Sequence, residues 1–393
     1  MHSHIPKQLQ GRAMSRSALM WAVILAVLFL PACRQGNGTT ESTSSAAMHR
    51  ANPQRTGVYL TAGPTAFETV KWQFEAQDWV FGAPAIVGDR VFFTSYDGNI
   101  YAADLQTGVE QWRVATGDTI IASPAVSEGL VYVGNMSGVI LALDVATGEE
   151  RWRAETGGGF SGSPAVVDGV VYFGNENGLL VALDATTGQE QWRFQIPDTV
   201  IAFSPAVAEG VVYVPVSDGI LYALDATTGE ESWNFDPNSP SNIYSPTADA
   251  VFHNGLIYFM TSDVNQLGML FAIDAATHEA LWQYESETEN FSAPAISDDI
   301  LVWGTLKGTL VGVSEETGEL LWTFPTEDIN FSAPAIAGDT VYFGSLDKNL
   351  YAIDYRSGRQ RWQFRAASGV SSPAIDDNVV YVGTVDGTFY ALQ

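Results

Sequence analysis

A chain of 393 residues with 46% hydrophobic and 12% aromatic content has ample material for a core, which excludes an intrinsically disordered protein. Its formal charge of −27, from 18 basic against 45 acidic groups, excludes nucleic acid as a partner, because phosphate binding needs a basic stripe that releases counterions. The same acidity keeps the surface hydrated and the protein monomeric.

The first predicted element is a targeting segment over residues 1–32. Lys7, Arg12 and Arg16 precede an apolar run from Ala18 to Leu30, which is shorter than the roughly 20 residues a spanning helix needs and suits a cleaved signal peptide. Met14 offers a second possible start. The run ends in Leu30-Pro31-Ala32-Cys33, which resembles the bacterial lipobox. That resemblance implies a lipid on Cys33 and anchorage to a bacterial membrane, at the outer membrane or cell surface, since Arg34 stands where an Asp would favour inner-membrane retention. The competing reading is an ordinary cleaved signal with an incidental thiol. Cys33 is the only cysteine, so an intramolecular disulfide is impossible even on an export route. Residues 33–56 are expected to form the lipidated Cys and a flexible tether, because the Gly, Asn, Thr and Ser of residues 35–47 bury too little apolar surface to offset their conformational entropy. A folded domain is expected over residues 57–393.

Within that domain Trp72, Trp112, Trp152, Trp192, Trp233, Trp282, Trp322 and Trp362 recur at intervals of 40, 40, 40, 41, 49, 40 and 40 residues. A second series keeps time with it: Pro84, Pro124, Pro164, Pro205, Pro246, Pro294, Pro334 and Pro373, each after a Ser or Ala. A period near 40 indicates propeller blades or helical repeats. Alternation decides between them, since Val131-Tyr132-Val133 and Val139 to Leu143 are β-branched and aromatic runs bounded by Gly turns. One repeat reads as strands at residues 123–126, 130–134 and 139–144 and a fourth that carries Trp152, making one antiparallel blade.

The third turn and fourth strand recur as ALDVATGEERW, ALDATTGQEQW and ALDATTGEESW. They resemble the tryptophan-docking motif of quinoprotein dehydrogenases and of the outer-membrane assembly lipoprotein BamB. The resemblance covers residues 70–393 and implies an all-β, eight-bladed β-propeller of four-stranded antiparallel blades. The last repeat stops at Gln393 before its own fourth strand, so Val70 to Phe74, which carries Trp72, is expected to complete it and close the ring without a free edge.

Deviations from the repeat fall on the face that carries the loops between blades and the second turn within each blade. The long interval arises from Ser239-Pro240-Ser241 and from residues 263–268, and such variable connections are where propellers place function. Phe81, Phe203, Tyr244, Phe291 and Phe331 sit just before the Pro series, either ringing the channel mouth or packing between blades. Trp79 lies in a loop of that face and is a contact candidate, whereas Trp303 takes the place of a second-strand aromatic and reads as core. The candidate partner-binding residues are thus Trp79, Phe81, Phe203, Tyr244, Phe291 and Phe331. Acids are as abundant on the opposite turns, so no metal site is assigned. No His pair has metal-ligand spacing, no nucleophile and acid recur beside a His, and no Gly-rich loop opens a helix.

These readings favour a noncatalytic envelope lipoprotein that binds other envelope proteins, similar in architecture to BamB. Two alternatives remain open. The dehydrogenase resemblance implies pyrroloquinoline quinone held with Ca²⁺ above the channel, but the adjacent cysteines of that family's alcohol dehydrogenases are missing, and so are its long insertions. A propeller that senses a small molecule or polysaccharide at the aromatic rim is the other.

Overall fold

The computed structural model describes residues 47–238, 242–290 and 292–393; Cys33, Ser239 to Ser241 and Phe291 lie outside the described residues. Each repeat forms one sheet, and there are eight. The second blade shows why. Its strands Ala125–Ser127, Leu130–Gly134, Val139–Asp144 and Glu150–Glu155 pair antiparallel in sequence order. The middle strands are apolar on both faces because blades stack on either side of them, so Val131, Tyr132, Ile140 and Leu141 are all buried. The outermost strand faces solvent, and within it Trp152 is the one buried residue. A register shift between Glu150 and Trp152 turns the indole towards the next blade.

Two short strands precede the first blade: β1, Val58–Tyr59, and β2, Val70–Glu75. As expected, β2 completes the last blade by pairing antiparallel with Thr388–Leu392, Trp72 opposite Ala391. The chain ends clasp there, with Glu68 and Thr69 N–H both donating to the Gln393 carbonyl at 2.7 and 2.8 Å. Strand β1 does something the repeat did not foretell and runs parallel to Ala335–Ala337, the inner strand of the seventh blade. Between them, Pro64 stands in for the third turn that the last repeat lacks, accepting the Trp362 indole N–H at 2.8 Å and the Tyr342 hydroxyl at 2.9 Å.

The fifth blade corrects the Pro series. Its inner strand is Val251–His253, with Val251 opposite Tyr258 as Ala206 is opposite Tyr213 in the fourth blade. Ala250 therefore occupies the repeat's Pro position and Asp249 the preceding small-residue position. Pro246 belongs instead to an added strand, Tyr244–Pro246, which pairs with the lengthened second strand Leu256–Asp263. The long interval is thus a taller hairpin flanked by an extra strand, which supplies register without disturbing the ring. Tyr244 follows that hairpin, packing edge-on against Phe271.

Residues 47–56, expected to be the end of a tether, are instead ordered inside the propeller, with Met48, Arg50 and Arg55 buried. The entropy argument holds for a polar chain with nothing to bind, whereas this stretch meets a ring of unused backbone donors.

Candidate functional site

Inner strands of three residues leave peptide groups facing the channel that no sheet partner satisfies, and a buried peptide group without a partner is costly. The segment from Ala47 to Ala62 supplies acceptors for them. The N–H groups of Val126, Val207, Phe252, Ile296, Ile336 and Asn378 donate to the carbonyls of Ala47, Pro53, Gln54, Thr56, Gly57 and Ala62, at 2.7–3.0 Å. Six blades hang on one strap.

Its path is turned by left-handed residues, with φ of 59° at Arg50, 69° at Ala51 and 63° at Arg55. Such backbone costs a non-glycine residue about 1–2 kcal/mol, and at Arg55 the side chain's bonds offset it. Arg55, 0% exposed, donates to the carbonyls of Pro205, His49, Ser163 and Pro164 at 3.0–3.1 Å. Arg50 donates to the Pro294 carbonyl. The periodic prolines therefore present carbonyls to the channel, and the planar guanidinium fork suits them. Burial lowers both arginines to about 10, partly offset by attraction to Asp249, so both stay charged at neutral pH.

A second ring lies just above. Ser123 N–H donates to Ser163 Oγ at 3.0 Å, Ser163 N–H to Ser204 Oγ at 2.9 Å, and Ser204 N–H to Asp249 Oδ1 at 2.7 Å. The serine before Pro164 and Pro205 thus accepts a bond from the preceding blade, and in the fifth blade a carboxylate takes the serine's place. The other oxygen of Asp249 lies 3.2 Å from His49 Nε2, and His49 Nδ1 is 3.1 Å from Ser123 Oγ. Burial pushes the His49 imidazole below its ordinary range, more than the contact with Asp249 raises it. Burial would raise the Asp249 carboxyl, but the contact with His49, the Arg55 charge and the Ser204 N–H hold it low. The resident state is a neutral imidazole beside a carboxylate.

His49 and Asp249 floor a cavity of about 310 Å³ at the channel mouth, with Phe81, Phe203 and Phe331 among its walls. The structure thus gathers three of the sequence-predicted aromatics, leaves Tyr244 on the added strand, and places Trp79 outside the cavity, 44% exposed. Trp79 leans on Tyr96 with centroids 5.4 Å apart, and Phe81 lies 6.3 Å from the same ring. The aromatics form a path from the surface to the mouth. Trp303 is fully buried and donates its indole N–H to Asn290 Oδ1 at 2.8 Å.

A quinone held with Ca²⁺ does not fit this cavity. Ca²⁺ takes six to eight oxygen ligands, whereas the two carboxylates here are engaged: Asp249 with His49 and Ser204, Glu289 with Ser262 Oγ at 2.8 Å. Among the described residues no group of three His, Cys, Asp or Glu could hold a metal ion.

Sequence reasoning missed His49, Arg50, Arg55 and Asp249. Asp249 was within reach, had the fifth repeat been aligned on its inner strand rather than on Pro246. The others lie outside the repeat, and their signal was a cluster of basic residues next to a polar tract in an acidic chain.

A family model described as outer membrane protein assembly factor BamB matches residues 60–158, 136–296 and 267–393. Among solved structures, BamB from Moraxella catarrhalis is similar at 19% identity and a TM-score of 0.69, over 83% of this chain and 99% of that one. The quinohemoprotein alcohol dehydrogenase ADHIIG from Pseudomonas putida HK5 is similar at 17% identity and 0.76, over 89% and 80%. A europium-containing methanol dehydrogenase gives 15% and 0.73, over 89% and 98%. At these identities the likeness is one of fold. No curated protein matches the chain in sequence.

Proposed function

We propose that this chain, which belongs to the family of the outer membrane protein assembly factor BamB, is a protein-interaction scaffold of the cell envelope, held at a membrane by a lipid on Cys33. The observation that carries the reading is the Trp79–Tyr96 pair on the loop face. An exposed tryptophan braced by a second ring is the kind of anchor on which binding energy concentrates, and Trp79 is the one aromatic among the exposed large hydrophobic side chains of the described residues. Ile243 and Val264, 62% and 71% exposed, add apolar contacts on the same face beside the fifth blade. The net negative charge suits a partner that presents basic residues around an apolar patch.

The test is crosslinking in envelope membranes from cells producing wild-type protein, Trp79→Ala or Cys33→Ala, with radiolabelled palmitate to follow acylation. The reading expects a defined set of crosslinks that Trp79→Ala removes while thermal stability is unchanged, and a lipid that Cys33→Ala removes. Crosslinks indifferent to Trp79, or an unacylated wild type, overturn the corresponding half.

A second reading, a ligand-binding propeller, is favoured by the cavity itself: its volume falls at the small end of ligand pockets, and apolar walls with a few converging polar groups are typical of them. The dehydrogenase alternative draws no support from its donor set.

A further inference from the structure

Ser123, His49 and Asp249 come from three distant parts of the chain: the first blade-two strand's approach, the channel strap and the fifth blade. They meet as a continuous hydrogen-bonded series, Oγ to Nδ1 at 3.1 Å and Nε2 to carboxylate at 3.2 Å, on the floor of a cavity open at the channel mouth. We propose that this series is a nucleophilic hydrolase centre in which Ser123 attacks, His49 is the general base and Asp249 the positioning residue, with short-chain carboxylic esters as substrates. The proposal goes beyond the scaffold reading and does not depend on it.

Three observations support it. A nucleophile is recognised by a base within hydrogen-bond reach that is itself oriented by a third group, and each link is present. The ring nitrogens are used in the reverse sense to the familiar protease arrangement, which the chemistry allows: one nitrogen must carry a proton towards the carboxylate, and the other must offer its lone pair to the hydroxyl. Asp249 also departs from its repeat. Where the second, third and fourth blades place serine, which suffices to link blades, the fifth places a carboxylate whose second oxygen is directed at His49. Finally, the resident protonation state is the working one, since a neutral imidazole beside a carboxylate can accept the hydroxyl proton.

The steps balance with water alone as co-reactant. Ser123 Oγ bonds to the ester carbonyl carbon while its proton passes to His49 Nδ1. The tetrahedral intermediate collapses, the carbon–alkoxide bond breaks, and the alcohol leaves with that proton. Water entering from the open mouth attacks the acyl-serine, again through His49, releasing the acid and restoring the hydroxyl. Walls of Phe81, Phe203 and Phe331 around about 310 Å³ limit the acyl group to a few carbons.

The experiment treats the purified, full-length protein with an alkyl fluorophosphonate and with p-nitrophenyl butyrate. The expected result is one covalent adduct, located on Ser123 by peptide mass, and ester turnover that the adduct blocks. Ser123→Ala abolishes both. His49→Gln slows labelling by about 100-fold or more, in the range general-base catalysis supplies, and Asp249→Asn slows it less. Ser137→Ala, on an exposed turn outside the cavity lining, leaves the rate unchanged. Failure of wild-type protein to label at Ser123 between pH 7 and 8, or labelling indifferent to His49, overturns the proposal and leaves the series as a clamp for the strap. Because the wild-type adduct decides by itself, a variant that fails to fold does not shelter the idea. Crosslinking through Trp79 is read separately, so either conclusion can fall without the other.

Discussion

The indole N–H of Trp152 donates to the carbonyl of Ala185, 33 residues later in the next blade, at 2.9 Å. The same bond joins Trp72 to Leu105, Trp112 to Val145, Trp192 to Ala226, Trp282 to Glu315 and Trp322 to Tyr355, at 2.9–3.1 Å. Beneath each ring lies the turn glycine of the following blade: at Gly188, with φ of 71°, an added Cβ would come within 2.6 Å of Trp152. Two positions depart from this: Trp362 docks on the Pro64 carbonyl, and at Trp233 His278 replaces the glycine, its imidazole stacking on the indole at 4.4 Å.

Loss of one such dock should register as global destabilisation, since every blade is held by two neighbours. Trp152→Ala is expected to cost about 3–5 kcal/mol and Trp152→Phe about 1–2 kcal/mol from the lost hydrogen bond and volume. Gly188→Ala, which leaves the indole intact but crowds it in a left-handed turn, should cost about 1–3 kcal/mol. Urea midpoints for the three variants check the order.

Ring closure and channel filling are separable by truncation. A chain beginning at residue 58 lacks most of the strap but retains β2, while one beginning at residue 76 lacks both. The first should unfold at lower urea than the full chain, and the second at markedly lower urea again, because the last blade then exposes a strand edge and the apolar surface around Trp72. Equal midpoints for the two truncated chains would contradict the closure.

Arg55 is expected to matter far more than arginines on the rim. Arg55→Met keeps much of the volume but leaves buried carbonyls of Pro205, Ser163 and Pro164 without their donor, at about 1–3 kcal/mol for each group left unsatisfied. Arg153→Met breaks an exposed pair with Glu150 and should change stability by about 1 kcal/mol at most. Chemical denaturation of both variants makes the comparison.

Acid should loosen the strap. The His49 pKa is lower in the folded protein than its ordinary 6.5, so below that pH the unfolded chain binds the extra proton first and stability falls as the pH drops. Above 6.5 both states are neutral at this site and the effect vanishes. Asp249, held low when folded, contributes stability above the ordinary carboxylate range that is lost only in stronger acid. Melting temperatures of wild type and His49→Gln between pH 7.5 and 5 should therefore diverge, the variant showing the flatter profile.

How much of this was written in the sequence follows from the range of the interactions. The tryptophan clock, the Gly turns and the alternation of Val131-Tyr132-Val133 specify a blade locally, and repetition specifies the ring; even the closing strand was legible, because Trp72 is a repeat residue without a repeat before it. The floor of the channel was not. His49 meets Ser123 across 74 positions, and the strap is governed by a ring of carbonyl and N–H groups that exists only once eight inner strands surround an axis. Its own composition, mixed in polarity and adjoining a tract of Gly, Ser and Thr, signals a free chain unless that ring is known. Sequence alone determined the scaffold, since each repeat carries its own turn and packing instructions. Tertiary structure decided what fills the channel, since buried cations are stable only where acceptors from separate blades converge.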